Sequence, residues 1–382
     1  MPFKIAGRAG VPPFHVLEIL RQANEREAAG ARILHLEAGQ PSAAAPAAVR
    51  QAVAASLNGE RHGYTEALGK PALRRRIAHH YQEQYGIDIA PHRVAVTMGS
   101  SAAFQLAFLT AFEPGDRVAL AAPGYPAYRN ILQSLDLVPV EIETGPETKF
   151  QPDPARLDRL EGPIAGLIVA SPSNPTGTIL EPDSLAALAA WCETRGVRLI
   201  SDEIYHRTGF AGGEATAASH APNGIVINSF SKYYCMTGWR LGWAVLPEDM
   251  VRPVELLAQS LYIAPPSPAQ TGAITAFDCS AELDAHVQAY RHNRDRLIDA
   301  LAPTRISVPA APEGAFYLYA DIAGYSLDSS DFAARLLAEA GVALTPGIDF
   351  DPRRGGHTIR LSYAGSAADV SEAGQRIAAW LR

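Results

Sequence analysis

"RVAVTMGSSAAFQLAFLTAF", residues 93–112, sets the architecture. A short, largely apolar run rich in β-branched residues gives way at Gly99, Ser100 and Ser101 to a stretch patterned as a helix. The alternation recurs downstream as "RVALAAP" (117–123) before "AYRNILQSL" (127–135), and "LIVASP" (167–172) before "SLAALAAWCETRG" (184–196). "RLISDEIY" (198–205) and "IVINSFS" (225–231) continue the series. Runs that are apolar on both faces read as strands covered by helices on both sides, so the expected fold is α/β with a mostly parallel, doubly wound sheet.

The flanks differ from this central block. After about residue 281 come a long helical stretch, "LDAHVQAYRHNRDRLIDAL" (283–301), and short strands, "AFYLYADI" (315–322) and "TIRLSYA" (358–364), which together read as a smaller α+β domain. An opening helix, "PFHVLEILRQANEREAAG" (13–30), precedes the sheet. The expected division is an N-terminal arm and helix belonging to the small domain (1–44), a large domain (45–280) and a small C-terminal domain (281–382). No internal repeat or low-complexity linker interrupts it.

Bulk properties exclude several classes. The 382 residues are 47% hydrophobic and 19% charged, enough to bury a large core. A formal charge of -7 and a pI near 5.9 give no basic field for nucleic acid, and "LRRRIA" (73–78) is the one cluster of cations. Cys192, Cys235 and Cys279 are too few and too scattered for a disulfide framework or a thiolate metal site, so no metal is expected. The N-terminal stretch lacks the pattern of an export signal, and no window has the length of a membrane span. The expected setting is the cytoplasm, away from membranes.

Four loops sit just past predicted strand ends, where open α/β sheets bind ligands. In "TMGSSAAF" (97–104) the backbone N–H groups and the Ser101 hydroxyl can hold a phosphate, although an ordinary helix cap at Ser100 or Ser101 has the same look. "ASPSNPTGT" (170–178) puts Asn174 between prolines in a rigid turn. "LISDEIYHR" (199–207) ends an apolar strand in Asp202, with Tyr205 three residues on; a buried carboxylate there needs a partner. "IVINSFSK" (225–232) delivers Lys232, an amine that desolvation could make nucleophilic, close to Ser229, Ser231 and Arg240. One ligand uses every one of these groups: a phosphorylated pyridine aldehyde.

"SFSKYYCMTGWRLGW" (229–243), "SDEIY" (201–205), "SPSNPTGT" (171–178), "YTEALGKPALRRRIA" (64–78) and "IRLSYA" (359–364) together resemble the class I/II pyridoxal-phosphate-dependent aminotransferases of fold type I, the aspartate aminotransferase fold type. The resemblance runs in order along nearly the whole chain. It implies that the large domain binds pyridoxal 5'-phosphate, with Lys232 as the Schiff-base lysine and Asp202 as partner of the pyridine nitrogen. Asn174 and Tyr205 are implied at the ring hydroxyl, Tyr125 stacked on the ring, and Gly99, Ser100, Ser101, Ser229 and Arg240 around the phosphate. Tyr64 resembles the residue that relatives send into the neighbouring subunit's phosphate site, which implies a homodimer with shared active sites. Arg360 matches the arginine that grips the substrate α-carboxylate, with Gly39 and Asn174 beside it.

The activity implied is a transaminase: an L-amino acid gives its amino group to the cofactor, and a 2-oxo acid, 2-oxoglutarate by family habit, collects it in a ping-pong cycle. A C–S β-lyase on the same scaffold would use the same residues. A non-catalytic ligand-sensing module is the rival from another class, and it is disfavoured because Lys232 and Arg360 are both in place and only about forty residues precede "LEAGQPS" (36–42). Some dicarboxylate-specific relatives carry lysine at the position of Ser101, so aspartate is not indicated and the donor stays open.

Overall fold

The computed structural model describes residues 3–210 and 213–382. Its strands are β1 (Leu34–His35), β2 (Val94–Thr97), β3 (Arg117–Ala122), β4 (Val138–Glu143), β5 (Gly166–Ala170), β6 (Arg198–Asp202), β7 (Ile225–Ser229), β8 (Gly242–Val245), β9 (Tyr317–Asp321), β10 (Val342–Ala343), β11 (Thr345–Pro346) and β12 (Thr358–Ser362). Seven of them form the central sheet in the order β2-β8-β7-β6-β5-β3-β4. The β4-β3-β5-β6-β7 ladder is parallel throughout, as crossover helices require. β8 runs antiparallel to both β7 and β2, because the loop that leads into it holds no crossover helix and the chain simply returns. The end of β7 and the start of β8 therefore lie at the same edge of the sheet.

Alternation along the strands feeds two cores. Val118, Leu120, Ile168, Ile200 and Ile227 pack on one face, and Ala119, Leu167, Val169, Leu199 and Val226 on the other. All of these are buried, each large aliphatic side chain contributing roughly 1.5–3 kcal/mol, which explains why the runs read as continuously apolar. A third core fills the smaller α+β domain. There β9, β11 and β12 form an antiparallel sheet, β1 pairs with β10, and residues such as Leu297, Leu336 and Ile377 pack from helices Ser280–Leu301, Ser329–Ala340 and Ala367–Trp380. Ile19 and Ala23 of the opening helix, His15–Ala28, join that core. No helix among the described residues is long and apolar enough to cross a membrane.

Candidate active site

The carboxyl ends of the central strands, the start of β8 and the facing edge of the small domain enclose one cavity. Every residue expected at the site lines it except Gly99, Ser229 and Tyr64. Asp202 closes β6 and Lys232 follows β7, each reaching the cavity because its strand ends there. Arg360 comes from β12, and Gly39 from the loop after β1.

Below the cavity, helix Gly99–Ala111 begins directly after β2. Gly99 has φ +76°, and a Cβ there would stand 2.5 Å from Arg240 Nη2, so the guanidinium lies against the helix N-terminus. A Cβ on Gly242 would stand 2.8 Å from the Ser100 backbone nitrogen. Two side-chain-free positions thus bring a cation and unpaired N–H groups together, which is what an anion needs. Arg240 itself is held in the left-handed region at φ 51° and donates to the Thr237 carbonyl at 3.0 Å.

At the upper wall Lys232 Nζ donates to the Gly39 carbonyl at 2.7 Å and stands 5.5 Å from the Tyr205 ring centre. Burial, helped by the Arg360 charge and opposed by Asp202, lowers its amine to about 8. Asp202 moves the other way: burial raises it to about 6, against the Tyr128 hydroxyl and the Ile204 N–H (3.1 Å) that donate to it. Burial raises the Tyr125 phenol to about 12 and holds the Tyr205 phenol well above its ordinary range, so both stay protonated. Arg360 is fixed by the Asn174 side-chain oxygen (2.9 Å), the Glu37 carbonyl (2.6 Å) and the Thr345 hydroxyl (3.2 Å), over the rings of Tyr317 and Phe350. Its Nε, though buried, has no partner among the described residues.

The three residues off the cavity wall differ in kind. Gly99 lies beneath Arg240. Ser229 is fully buried, and its hydroxyl donates to Ser231 at 2.9 Å, so Ser231 is the hydroxyl exposed to the cavity. Tyr64 is 86% exposed. Asn174, expected at a cofactor hydroxyl, is engaged with Arg360, and the Tyr205 hydroxyl pairs with that of Tyr317 at 2.6 Å. Sequence reasoning missed Tyr128 and Tyr317. Tyr128 follows Tyr125 by three residues, a spacing that places both rings on one side of the chain's turn, and this was the available signal. Tyr317 gave none, because its place depends on how β9 registers against β12.

A desolvated amine across from a buried acid, with an arginine that keeps a nitrogen free, suits an enzyme that works on amino acids. The family model for aminotransferase class I and II matches residues 31–377. The valine–pyruvate aminotransferase of Mycobacterium tuberculosis is 48% identical, the alignment covering 100% of this chain and 99% of that protein. The aspartate/prephenate aminotransferase of Thermus thermophilus is 33% identical over 96% of this chain and 95% of its own. A crystal structure of an aminotransferase from Mycobacterium tuberculosis superposes with a TM-score of 0.96 at 48% identity, covering 100% of this chain and 99% of the other. The chain belongs to the class I and II aminotransferase family and is an aminotransferase.

Proposed function

We propose that the chain moves the amino group of an L-amino acid to a 2-oxo acid in a ping-pong cycle, with pyridoxal 5'-phosphate as cofactor and pyruvate as the favoured acceptor. The observation that carries this is the meeting of Lys232, Asp202 and Arg360 on one cavity. The residues present fit the cofactor. Gly99 and Gly242, by lacking a Cβ, let the Arg240 guanidinium and the Ser100 N–H come together at the start of helix Gly99–Ala111, a donor set that suits a phosphate. Among the described residues the Asp202 carboxylate accepts hydrogen bonds only from the Tyr128 hydroxyl and the Ile204 N–H, and a protonated ring nitrogen would supply the cation it lacks.

In this reading Lys232 would hold the cofactor through Nζ, and its free amine would take the proton from the substrate α-carbon and deliver it to the cofactor side. When bound, the cofactor supplies the sink for the electron pair left behind. Asp202 keeps the ring nitrogen protonated, Asn174 and Tyr205 serve the ring hydroxyl, and Tyr125 covers the ring. Ser100, Ser101 and Arg240 serve the phosphate, with Ser229 acting through the Ser231 hydroxyl to which it donates, and Tyr64 of a second copy completes the set in a homodimer. The division of the chain near residues 44 and 280 gives the large domain the cofactor and lets the small domain bring Arg360 and Gly39 to the substrate. Arg360, oriented by Asn174 and the Glu37 carbonyl, would bind the α-carboxylate and so hold the substrate with its α-proton within reach of Lys232.

Two facts favour pyruvate over 2-oxoglutarate. The Mycobacterium tuberculosis relative at 48% identity is a valine–pyruvate enzyme. Among the described residues the cations lining the cavity are Lys232, Arg240 and Arg360, all engaged in this scheme, which leaves none of them for a second carboxylate. The test is a panel of amino acids offered to the holoenzyme with pyruvate or 2-oxoglutarate in turn. Apolar donors should yield their 2-oxo acids and alanine from pyruvate. Faster turnover with 2-oxoglutarate would reverse the acceptor assignment. If cysteine conjugates alone react, steadily giving pyruvate and ammonia, the lyase reading takes over.

A further inference from the structure

The helix that opens the chain reaches the active site with its first turn. Val16 lines the cavity, as do Ala127 and Ile131 of helix Pro126–Ser134. That position is not secured locally, because Phe14, the cap residue of helix His15–Ala28, makes no side-chain capping bond. The cap comes from the far end of the chain. Asp349, buried among the small-domain elements, accepts the His15 N–H on Oδ1 at 3.1 Å and the Val16 N–H on Oδ2 at 3.2 Å. A carboxylate at a helix N-terminus answers both the orphan donors and the dipole.

The same short segment also touches helix Pro126–Ser134, the loop beside Tyr125, and Arg360. The Asp349 carbonyl accepts from Arg129 Nη2 at 3.1 Å, and Arg129 stands on the helix that carries Ala127 and Ile131. The Phe350 carbonyl accepts the Gly124 N–H at 3.1 Å, next to Tyr125, while the Phe350 ring lies 4.9 Å from the Arg360 guanidinium. One segment therefore links Arg360 to the two helices that carry Val16, Ala127 and Ile131.

We propose that Asp349 is a positioning residue that fixes Val16 as the wall limiting the donor side chain, so that short branched aliphatic amino acids are taken ahead of bulkier ones. The inference rests on the transaminase reading and adds the substrate class. Valine fills the space between Val16, Ala127 and Ile131 when its carboxylate is on Arg360; leucine and phenylalanine run into Val16. Asp349 contributes nothing to the chemistry and acts only through where it holds the helix.

The experiment compares wild-type holoenzyme with Val16→Ala, Asp349→Ala and Asp349→Asn, using valine, leucine and phenylalanine as donors and pyruvate as acceptor, with melting curves to confirm folding. Wild type should favour valine. Val16→Ala should shift kcat/KM toward the two larger donors by roughly tenfold relative to valine, the scale on which pockets resolve a methylene or two. Asp349→Ala should shift the same ratio in the same direction, mainly through the donor KM, and Asp349→Asn, which keeps one acceptor oxygen, should restore part of it. A fold defect lowers all donors together and leaves the ratio alone. If both Asp349 variants keep the wild-type ratio while Val16→Ala changes it, the positioning role is wrong; if wild type favours phenylalanine, the size limit is wrong. A holoenzyme that moves no amino group from any donor refutes the transaminase reading itself and this inference with it.

Discussion

Lys232 and Asp202 are displaced from their ordinary ionisation in opposite directions by one cause, loss of water. For Lys232 the sign is decisive. The neutral amine is the form that attacks an aldehyde, and its share grows as pH rises through the amine's own value, about 8 here against an ordinary 10.5. The cofactor-free protein should therefore capture pyridoxal phosphate at a rate that climbs with pH and levels off above about 8, measured by absorbance during rapid mixing; a climb that continues past pH 10 would mean the amine is not desolvated. Lys232→Ala should lose the borohydride-fixed cofactor label and turnover by a factor on the order of 10³ or more. Asp202→Asn keeps the shape and removes the charge. We expect rates to fall by about 10²- to 10³-fold while the cofactor stays bound through its phosphate, and near-normal turnover would remove Asp202 from the scheme. These residues were legible in the sequence because each follows a strand, and strand ends in a parallel sheet share one edge. Tyr128 was not, since its hydroxyl meets Asp202 across 74 residues of chain and no local pattern announces the pairing.

At the scale of elements, the proposed phosphate cradle depends on two junctions, β2 into helix Gly99–Ala111 and the loop into β8. They fit together only because Gly242 has no side chain: a Cβ would stand 2.8 Å from the Ser100 nitrogen, 2.9 Å from the Asn228 carbonyl oxygen and 2.9 Å from the Gly99 carbonyl carbon. All three are backbone atoms, so the strain cannot be relieved by a rotamer. Gly242→Ala should cost about 1–3 kcal/mol of stability and weaken cofactor binding by roughly tenfold or more, read by melting and by titration of the apoprotein. Unchanged cofactor affinity would place the phosphate elsewhere. The alternation of strands and helices let the sheet be read in advance, but the reversal at β8 was invisible, because an apolar run of four residues has no direction. The same limit hid the burial of Ser229 behind Ser231: both hydroxyls look equivalent until the loop geometry turns one inward. Asp349 was beyond reach for a related reason, since the helix it caps lies 333 and 334 residues away in sequence.

For the whole molecule, the telling feature is Tyr64, expected at a phosphate site but absent from the cavity wall. Tyr64 is 86% exposed, and other exposed apolar side chains include Leu57 (60%), Leu261 (55%) and Ile263 (47%). An aromatic with a hydroxyl left in solvent fits a phosphate contact made across to another copy, where it would exchange water for a charged acceptor. Sedimentation should then give a dimer or a multiple of it, and Tyr64→Ala should weaken cofactor binding by about tenfold, the worth of a hydrogen bond to a charged group. The exchange can be tested without any structure of the pair. Co-expressing a Tyr64→Ala copy with a Lys232→Ala copy places both lesions in one site of the mixed dimer and leaves the other site intact, provided Tyr64 crosses over. If Tyr64 serves its own chain, each site of the mixed dimer carries a lesion. Full affinity in about half the sites of purified mixed dimers is the expected result; mixed dimers no better than the parent variants, or a stable monomer with full activity, would end the case for a shared site.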